Sequence, residues 1–456
     1  MFINAKRLLT VILIGVIGWG CSSGTDQKSA HISGNLTVAD SIDTSRDFSN
    51  IGLTIISRDS ANADADTLFH TFTDTSGRFS GMVTFEEKRQ YPMIVSRNKQ
   101  NLAQLGVILA DGDSVRITGQ LPGLRQTLNI SSREHDAMTK YQRVQQSFQR
   151  VLQFARAGKL TGDSLRQELN KWSNLHWDVY QNNEGTIASQ MSARESIQIL
   201  QGVDNQKMMQ RIRKVQDNDS LSDLGATYGK EYLANSQGLE PTLAYLDTLS
   251  SITESKDQAM RISMERIKLL YDSARVETAK EKLADFVDQY PNEQSSEQWV
   301  ESMRYDLNYL SPGDSIPDFS FRENGKTISR DSLLGTPYIL EITRLSNRLY
   351  QNQFDRTVVI HSIYKNYGMQ VVTIPLDESQ ITVDAFFEER VKPWPVADAN
   401  AFDRKKMLEK FNVQLIPTRF LIDREGNIVR KYVGNEYNDV IKGIQTIIEK
   451  DKEPAS

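Results

Sequence analysis

Apolar and polar residues alternate with a period of two over much of the stretch from residue 31 to residue 123. Ile51–Ile56, Gly81–Phe85 and Val115–Thr118 show this alternation, and Asp74–Gly77 supplies turn residues between such runs. This period is that of strands with one buried face. The pattern predicts a small antiparallel β-sandwich over residues 31–123.

Between residues 131 and 310 the apolar period changes to that of a helix. Met260, Met264, Ile267 and Tyr271 fall on one helical face, and charged residues lie opposite. A helix with one apolar stripe buries that stripe against neighbouring elements. The sequence therefore predicts a central all-α region over residues 131–310.

Short apolar runs return after residue 311 and include Tyr338–Ile342, Met369–Ile374 and Phe420–Asp423. Together with Ile416–Thr418 they resemble a thioredoxin-like domain, in particular those of membrane-anchored thiol-disulfide oxidoreductases and alkyl-hydroperoxide reductases. Further matching stretches are Ile316–Phe319, Gly325–Ile328 and Gly426–Val429. The resemblance implies an α/β thioredoxin-like fold over residues 311–450, within a multidomain α+β chain.

The resemblance implies a pair of cysteines, spaced Cys-x-x-Cys, at the start of the helix that follows the first of these runs. An ungapped match places Asn347 and Tyr350 at the two cysteine positions. A register slip of one residue points instead to Ser346 and Leu349. Dithiol exchange needs an attacking thiolate and a resolving sulfur, which neither alternative supplies. We therefore predict no catalytic residues and a redox-inactive domain.

The second half of the family's site is present as Ile416-Pro417-Thr418, which the resemblance predicts to contain a cis peptide bond. In that family this segment pairs with an extended substrate chain. We therefore predict that Arg348, Ile416, Pro417 and Thr418 contact a protein or extended-peptide partner. The alternative is that Pro417 only ends a loop.

Glu341 is an acid inside an apolar run. The resemblance implies a buried acid that moves protons for the cysteines. The alternative is an acid at a strand edge or facing solvent.

The N-terminus begins with Lys6-Arg7 and an apolar run that ends at Trp19-Gly20-Cys21. The run is too short to span a bilayer comfortably. It resembles a bacterial lipoprotein signal peptide (1–20), which implies that Cys21, the chain's single cysteine, is lipidated. We predict anchoring to a membrane through Cys21, a polar tether over 21–30, and a tail over 451–456. An uncleaved anchor is the alternative.

The turn Asp74–Phe79 and the strand entry Gly112–Val115 resemble an uncharacterised β-domain that precedes thioredoxin-like domains in envelope lipoproteins of Gram-negative bacteria. This resemblance implies localisation in the cell envelope, facing either the periplasm or the medium.

Composition narrows the remaining classes of function. The net charge is −5 and no Lys/Arg run follows residue 7, which disfavours nucleic acid as a partner. The five histidines are scattered, and we expect His176, on an apolar face, to be a packed core residue. Asp111 and Asp113 fall short of the oxygens that Ca²⁺ requires. We predict neither a metal nor a cofactor.

Three hypotheses remain. The first is a membrane-anchored lipoprotein whose redox-inactive thioredoxin-like domain binds or scaffolds other proteins. The second is an oxidoreductase that works only with a partner that lends thiols. The third is a structural lipoprotein in which the β-sandwich or the helical region is the working part, so that its role survives removal of Ser311–Ser456.

Overall fold

A computed structural model describes residues 27–41, 44–58, 66–98, 100–291, 293–388 and 390–450. The chain forms two compact units, with the boundary between Met208 and Met209. The mixed α and β composition predicted from the sequence is confirmed. The unit boundary falls inside the predicted helical region 131–310, so the helices of that region are divided between the two units. The predicted signal peptide, Cys21 and the tail lie outside the described residues.

The first unit contains two four-stranded sheets. Their strands are β1 (Lys28–Val38), β2 (Ile51–Ser57), β3 (Asp66–Phe72), β4 (Arg78–Phe85), β5 (Arg89–Arg97), β6 (Gln100–Leu109), β7 (Ser114–Leu121) and β8 (Asn129–Ser131). One sheet has the order β4-β1-β7-β8 and the other β3-β2-β5-β6. Ile32 and Val115 of the first sheet and Leu53 and Val95 of the second belong to one apolar cluster. The two inner faces therefore bury each other's apolar side chains.

Two features of β1 differ from the prediction. β1 begins at Lys28, so residues 28–30 of the predicted tether 21–30 belong to a strand; Ala30 is buried and pairs with Val83. β1 also pairs with β7 in parallel, whereas the sequence predicted an antiparallel sandwich. Parallel neighbours need a long connection, and here the connection includes all of β2–β6.

Helices α1 (Leu124–Thr127), α2 (Arg133–Arg156), α3 (Gly162–Asn182) and α4 (Ile187–Leu200) follow these strands, and α5 (Asn205–Val215) spans the unit boundary. His176 of α3 has no exposed surface and packs against the rings of Tyr141 and Phe148, with centroids 5.8 and 6.2 Å away. It is a core residue, as expected.

The second unit starts with a helical segment: a π-helical turn at Gly225–Gly229, then α6 (Lys230–Ser236), α7 (Leu239–Ile252), α8 (Lys256–Asp272), α9 (Val276–Gln289) and α10 (Gln294–Tyr309). Ser255 caps α8 by accepting a hydrogen bond from the Gln258 backbone N–H. In the part of the chain that the structure describes, no helix combines the length and the apolar character needed to cross a bilayer.

The C-terminal part of this unit is built on a four-stranded sheet of order β12-β11-β13-β14. Its elements are β9 (Ser320–Glu323), β10 (Lys326–Ser329), β11 (Tyr338–Thr343), α11 (Arg348–Tyr364), β12 (Gln370–Pro375), α12 (Gln380–Glu388), α13 (Arg404–Lys410), β13 (Thr418–Ile422), β14 (Ile428–Val433) and α14 (Val440–Lys450). β11 is parallel to β12 and antiparallel to β13. Alternate residues of β11 pack into different clusters, Leu340 on one face and Ile339 on the other, so both faces of the sheet are covered.

The helical segment contacts the outer strand β14 through buried charges. Lys431 donates to both carboxylate oxygens of Asp306 in α10, at 2.8 Å each. Asn412 donates to the same carboxylate at 2.7 Å. Arg430 lies 3.4 Å from Asp272 of α8. Because removing one partner of a buried ion pair is costly, these contacts fix the helices on the sheet.

Candidate functional site

The loop between β11 and α11 carries the two positions predicted to replace cysteines. Asn347 is the N-cap of α11, and its Oδ1 accepts a hydrogen bond of 3.0 Å from the Tyr350 backbone N–H. A side-chain oxygen at this position satisfies a donor that the first helical turn would otherwise leave free. The amide of Asn347 thus occupies the start of the helix, with Tyr350 one turn further on.

Tyr350 is fully buried. Its hydroxyl donates to Glu341 Oε2 at 3.3 Å, and its ring packs against Phe354 and Phe386. Burial, and then the neighbouring Glu341 carboxylate, raise the pKa of Tyr350 well above its usual value of about 10. The phenol therefore stays neutral, and it closes the position at which a resolving sulfur would stand.

Glu341 is fully buried in β11 and forms an ion pair with Arg419 of β13, which is also fully buried. The Arg419 Nε to Glu341 Oε1 distance is 2.7 Å, and Thr373 Oγ1 donates to Glu341 Oε2 at 2.9 Å. The alternative that Glu341 lies at a strand edge or faces solvent is wrong, because the strands on both sides of β11 cover it. Sequence reasoning missed Arg419, a cation in an apolar strand directly opposite Glu341.

Arg419 has further partners that hold its guanidinium in place. Its Nη1 donates to Gln353 Oε1 at 2.8 Å, and its Cζ lies 3.9 Å from the centroid of the Tyr437 ring. A cation this close to an aromatic face is stabilised by the ring quadrupole. Glu341 is therefore the partner of a fixed cation.

The Ile416–Pro417 peptide bond is cis, as predicted. Asn347 Nδ2 donates to the Ile416 carbonyl at 3.4 Å, so the two predicted halves of the site are adjacent. Pro417 and Thr418 are buried, and the Thr418 hydroxyl donates to the Leu415 carbonyl at 2.5 Å. The Thr418 side chain therefore faces the interior, and contact of a partner with Ile416, Pro417 or Thr418 stays a prediction.

The exposed part of the site consists of five residues, which we call the loop surface: Arg344, Ser346, Arg348, Leu415 and Ile416. Leu415 is 66% exposed, and Arg344, Ser346 and Arg348 are also exposed, while Ile416 is half-buried. The chain's single cysteine is Cys21, so none of these residues supplies a thiol.

Asp111 and Asp113 each use a carboxylate oxygen to hold the turn before β7. Asp111 Oδ1 accepts from the Ser29 backbone N–H at 2.9 Å, and Asp113 Oδ1 accepts from that of Ser114 at 2.8 Å. These contacts are those of turn-forming aspartates.

The sheet, the helix α11 at its parallel crossover and the cis-proline loop define a thioredoxin-like domain, which makes up about 30% of the chain. The chain is 24% identical over 139 residues to thiol-disulfide oxidoreductase ResA of Bacillus cereus, a match that covers 30% of this chain and 79% of the relative. It is 26% identical over 141 residues to ResA of Bacillus subtilis, covering 30% and 76%. No protein-family model matches the chain.

Two solved structures align with the same share of the chain. One is the thioredoxin domain of a thiol-disulfide oxidoreductase from Bacteroides vulgatus, with 21% identity, a TM-score of 0.28 and coverage of 30% of this chain and 99% of that one. The other is a thiol:disulfide interchange protein from Chlorobium tepidum, with 23% identity, a TM-score of 0.27 and coverage of 30% and 97%.

Proposed function

We propose that this protein is a redox-inactive envelope lipoprotein that binds extended protein segments at the loop surface of its thioredoxin-like domain. The observation that carries the proposal is the state of the two predicted cysteine positions: Asn347 serves as a helix cap and Tyr350 as a buried phenol. Without sulfur at the site, the domain cannot form a disulfide with a client protein, so binding of the client is non-covalent and reversible. Lipidation of Cys21 would hold the domain at a membrane.

The backbone beside the proline supports binding of an extended chain. Within the described residues, the Ile416 backbone N–H makes no hydrogen bond, and its carbonyl receives only the long 3.4 Å contact from Asn347. Unpaired backbone donors and acceptors can add an extended peptide through main-chain hydrogen bonds, while neighbouring side chains give selectivity. Leu415 supplies an exposed apolar contact next to them.

The second candidate function is that of the named relatives, thiol-disulfide exchange, and the sequence similarity favours it at the family level. It requires a partner that lends the thiols. Turnover of a dithiol substrate by a thiol-bearing partner protein that depends on addition of the mature protein, with Cys21 replaced by Ser, would support this candidate against ours.

The experiment that tests the proposal is in-cell photocrosslinking from probes at Arg348 and Leu415, with mass spectrometry of the products. Lys365 is the control position, since it is exposed just beyond the opposite end of α11, roughly 25 Å away at 1.5 Å per residue. We expect a discrete partner from the first two probes and none from Lys365. Equal capture from all three probes would reject the loop surface as the binding site.

A further inference from the structure

Arg344 and Arg348 of the loop surface lack countercharges. Within the described residues, neither side chain forms an ion pair or a hydrogen bond. By contrast, two other cations of this domain are paired: Arg404 lies 2.9 Å from a carboxylate oxygen of Glu378, and Lys392 lies 2.9 Å from one of Glu323. Arg344 and Arg348 thus have no charged partner among the described residues.

The position of these cations is unfavourable for the free protein. Arg348 is the first residue of α11 and Arg344 precedes the helix by four positions, so both lie at the positive end of the helix dipole. The first turn of α11 contains no acidic residue. The nearby Asp377 carboxylate accepts from the Leu345 backbone N–H at 2.8 Å and is itself buried. The positive charge is therefore not offset within the domain.

Apolar surface and free backbone accompany the two arginines. Leu415 is 66% exposed beside the unpaired Ile416 N–H. A ligand that matches this surface needs an extended backbone, an apolar side chain and negative charge. Such complementarity steers association and selects partners more than it raises affinity.

We propose that the partner of the loop surface is an acidic, extended protein segment, whose carboxylates pair with Arg344 and Arg348 while one apolar side chain rests on Leu415. This inference rests on the proposed function and adds the chemical class of the ligand. Bidentate pairing of guanidinium with carboxylate is the geometry that arginine, rather than lysine, provides.

The test uses the full mature chain with Cys21 replaced by Ser, and two fluorescent ten-residue peptides. Both probes carry Leu and Val at the same alternate positions; one has Glu and the other Lys at the remaining positions. We expect fluorescence anisotropy to show binding of the Glu probe about tenfold tighter or more at low salt, with the preference shrinking at 1 M salt.

The matched variants are the double charge reversal Arg344→Glu/Arg348→Glu and the control Lys365→Glu. The first is expected to abolish or reverse the preference, whereas Lys365→Glu leaves it unchanged, although it also reverses an exposed cation of the same domain. Circular dichroism melts check that both variants fold. Equal binding of both probes, or a preference that survives the double reversal, overturns the acidic ligand while leaving the binding site in place. Binding of neither probe, together with photocrosslinking that captures nothing, overturns the proposed function as well.

Discussion

Replacement of Arg419 by Met tests how strongly the stability of the fold depends on the buried Arg419–Glu341 ion pair. The substitution leaves the Glu341 carboxylate with no exposed surface and without the guanidinium 2.7 Å away. Removing one partner of a buried pair costs about 3–5 kcal/mol. For a unit of roughly 150–250 residues, each kcal/mol lowers the melting temperature by about 2–4 °C. We therefore expect a fall of roughly 10 °C in the melting of the second unit.

The double variant Glu341→Leu/Arg419→Met removes both charges but keeps most of the side-chain volume. It therefore distinguishes the effect of an unpaired buried charge from that of lost packing. Replacing both partners with apolar residues of similar volume is often neutral, so this variant is expected to recover most of the loss. Lys405→Met, which removes one partner of the exposed Lys405–Glu409 pair, serves as the control and leaves the melting temperature unchanged. Differential scanning calorimetry of the mature protein measures all three. A deficit of Arg419→Met below about 1 kcal/mol at pH 7, or a double variant as unstable as the single one, would refute the reasoning.

Three further predictions concern other residues. In a Cys21→Ser background, Asn347→Cys places a thiolate at a helix N-terminus and should react with maleimide faster than Lys365→Cys; equal rates would contradict its placement at the helix start. Lys268, 3.3 Å from Glu436, holds the turn 434–439, so Lys268→Met should speed hydrogen exchange there but not in β1, and unchanged exchange would show that the contact is dispensable. Burial lowers the pKa of His176 to about 4, so the stability of the fold decreases as the pH is lowered from about 6.5 to about 4, by up to roughly 3 kcal/mol in total. His176→Phe should therefore move acid unfolding, followed by circular dichroism, to lower pH.

The elements that the sequence predicted are those with a strong local period. Alternating residues of Arg78–Phe85 and the helical stripe of Lys256–Asp272 each identify the buried face without knowledge of any partner. The parallel pairing of Lys28–Val38 with Ser114–Leu121 is not visible in this way, because it joins segments more than 80 residues apart. Pairing partners are a property of the whole sheet.

The site shows the same division between local and non-local information. The resemblance placed Asn347 and Tyr350 at the two cysteine positions, but the role of Glu341 depended on Arg419, 78 residues later. All five residues of β13, Thr418 among them, are buried, because β13 lies between two strands and both faces of the sheet are covered. The lack of a charged partner for Arg344 is visible only in the structure, where the nearby Asp377 carboxylate accepts a hydrogen bond from the Leu345 backbone N–H instead.

The contacts between the helical segment and the sheet decide how the structural hypothesis can be tested. Deleting Ser311–Ser456 would remove Lys431, the buried partner of Asp306, and would expose Leu310, which packs in the core of the thioredoxin-like domain. Loss of function after the deletion would then follow from unfolding of α8–α10 as readily as from loss of a binding surface. Arg344→Glu/Arg348→Glu avoids this ambiguity, because neither side chain forms an ion pair or a hydrogen bond with another described residue. If the charge reversal abolishes photocrosslinking from Leu415 but the function in cells survives, the working part lies in the β-sheets or the helices. If photocrosslinking and function are lost together, the working part is the loop surface.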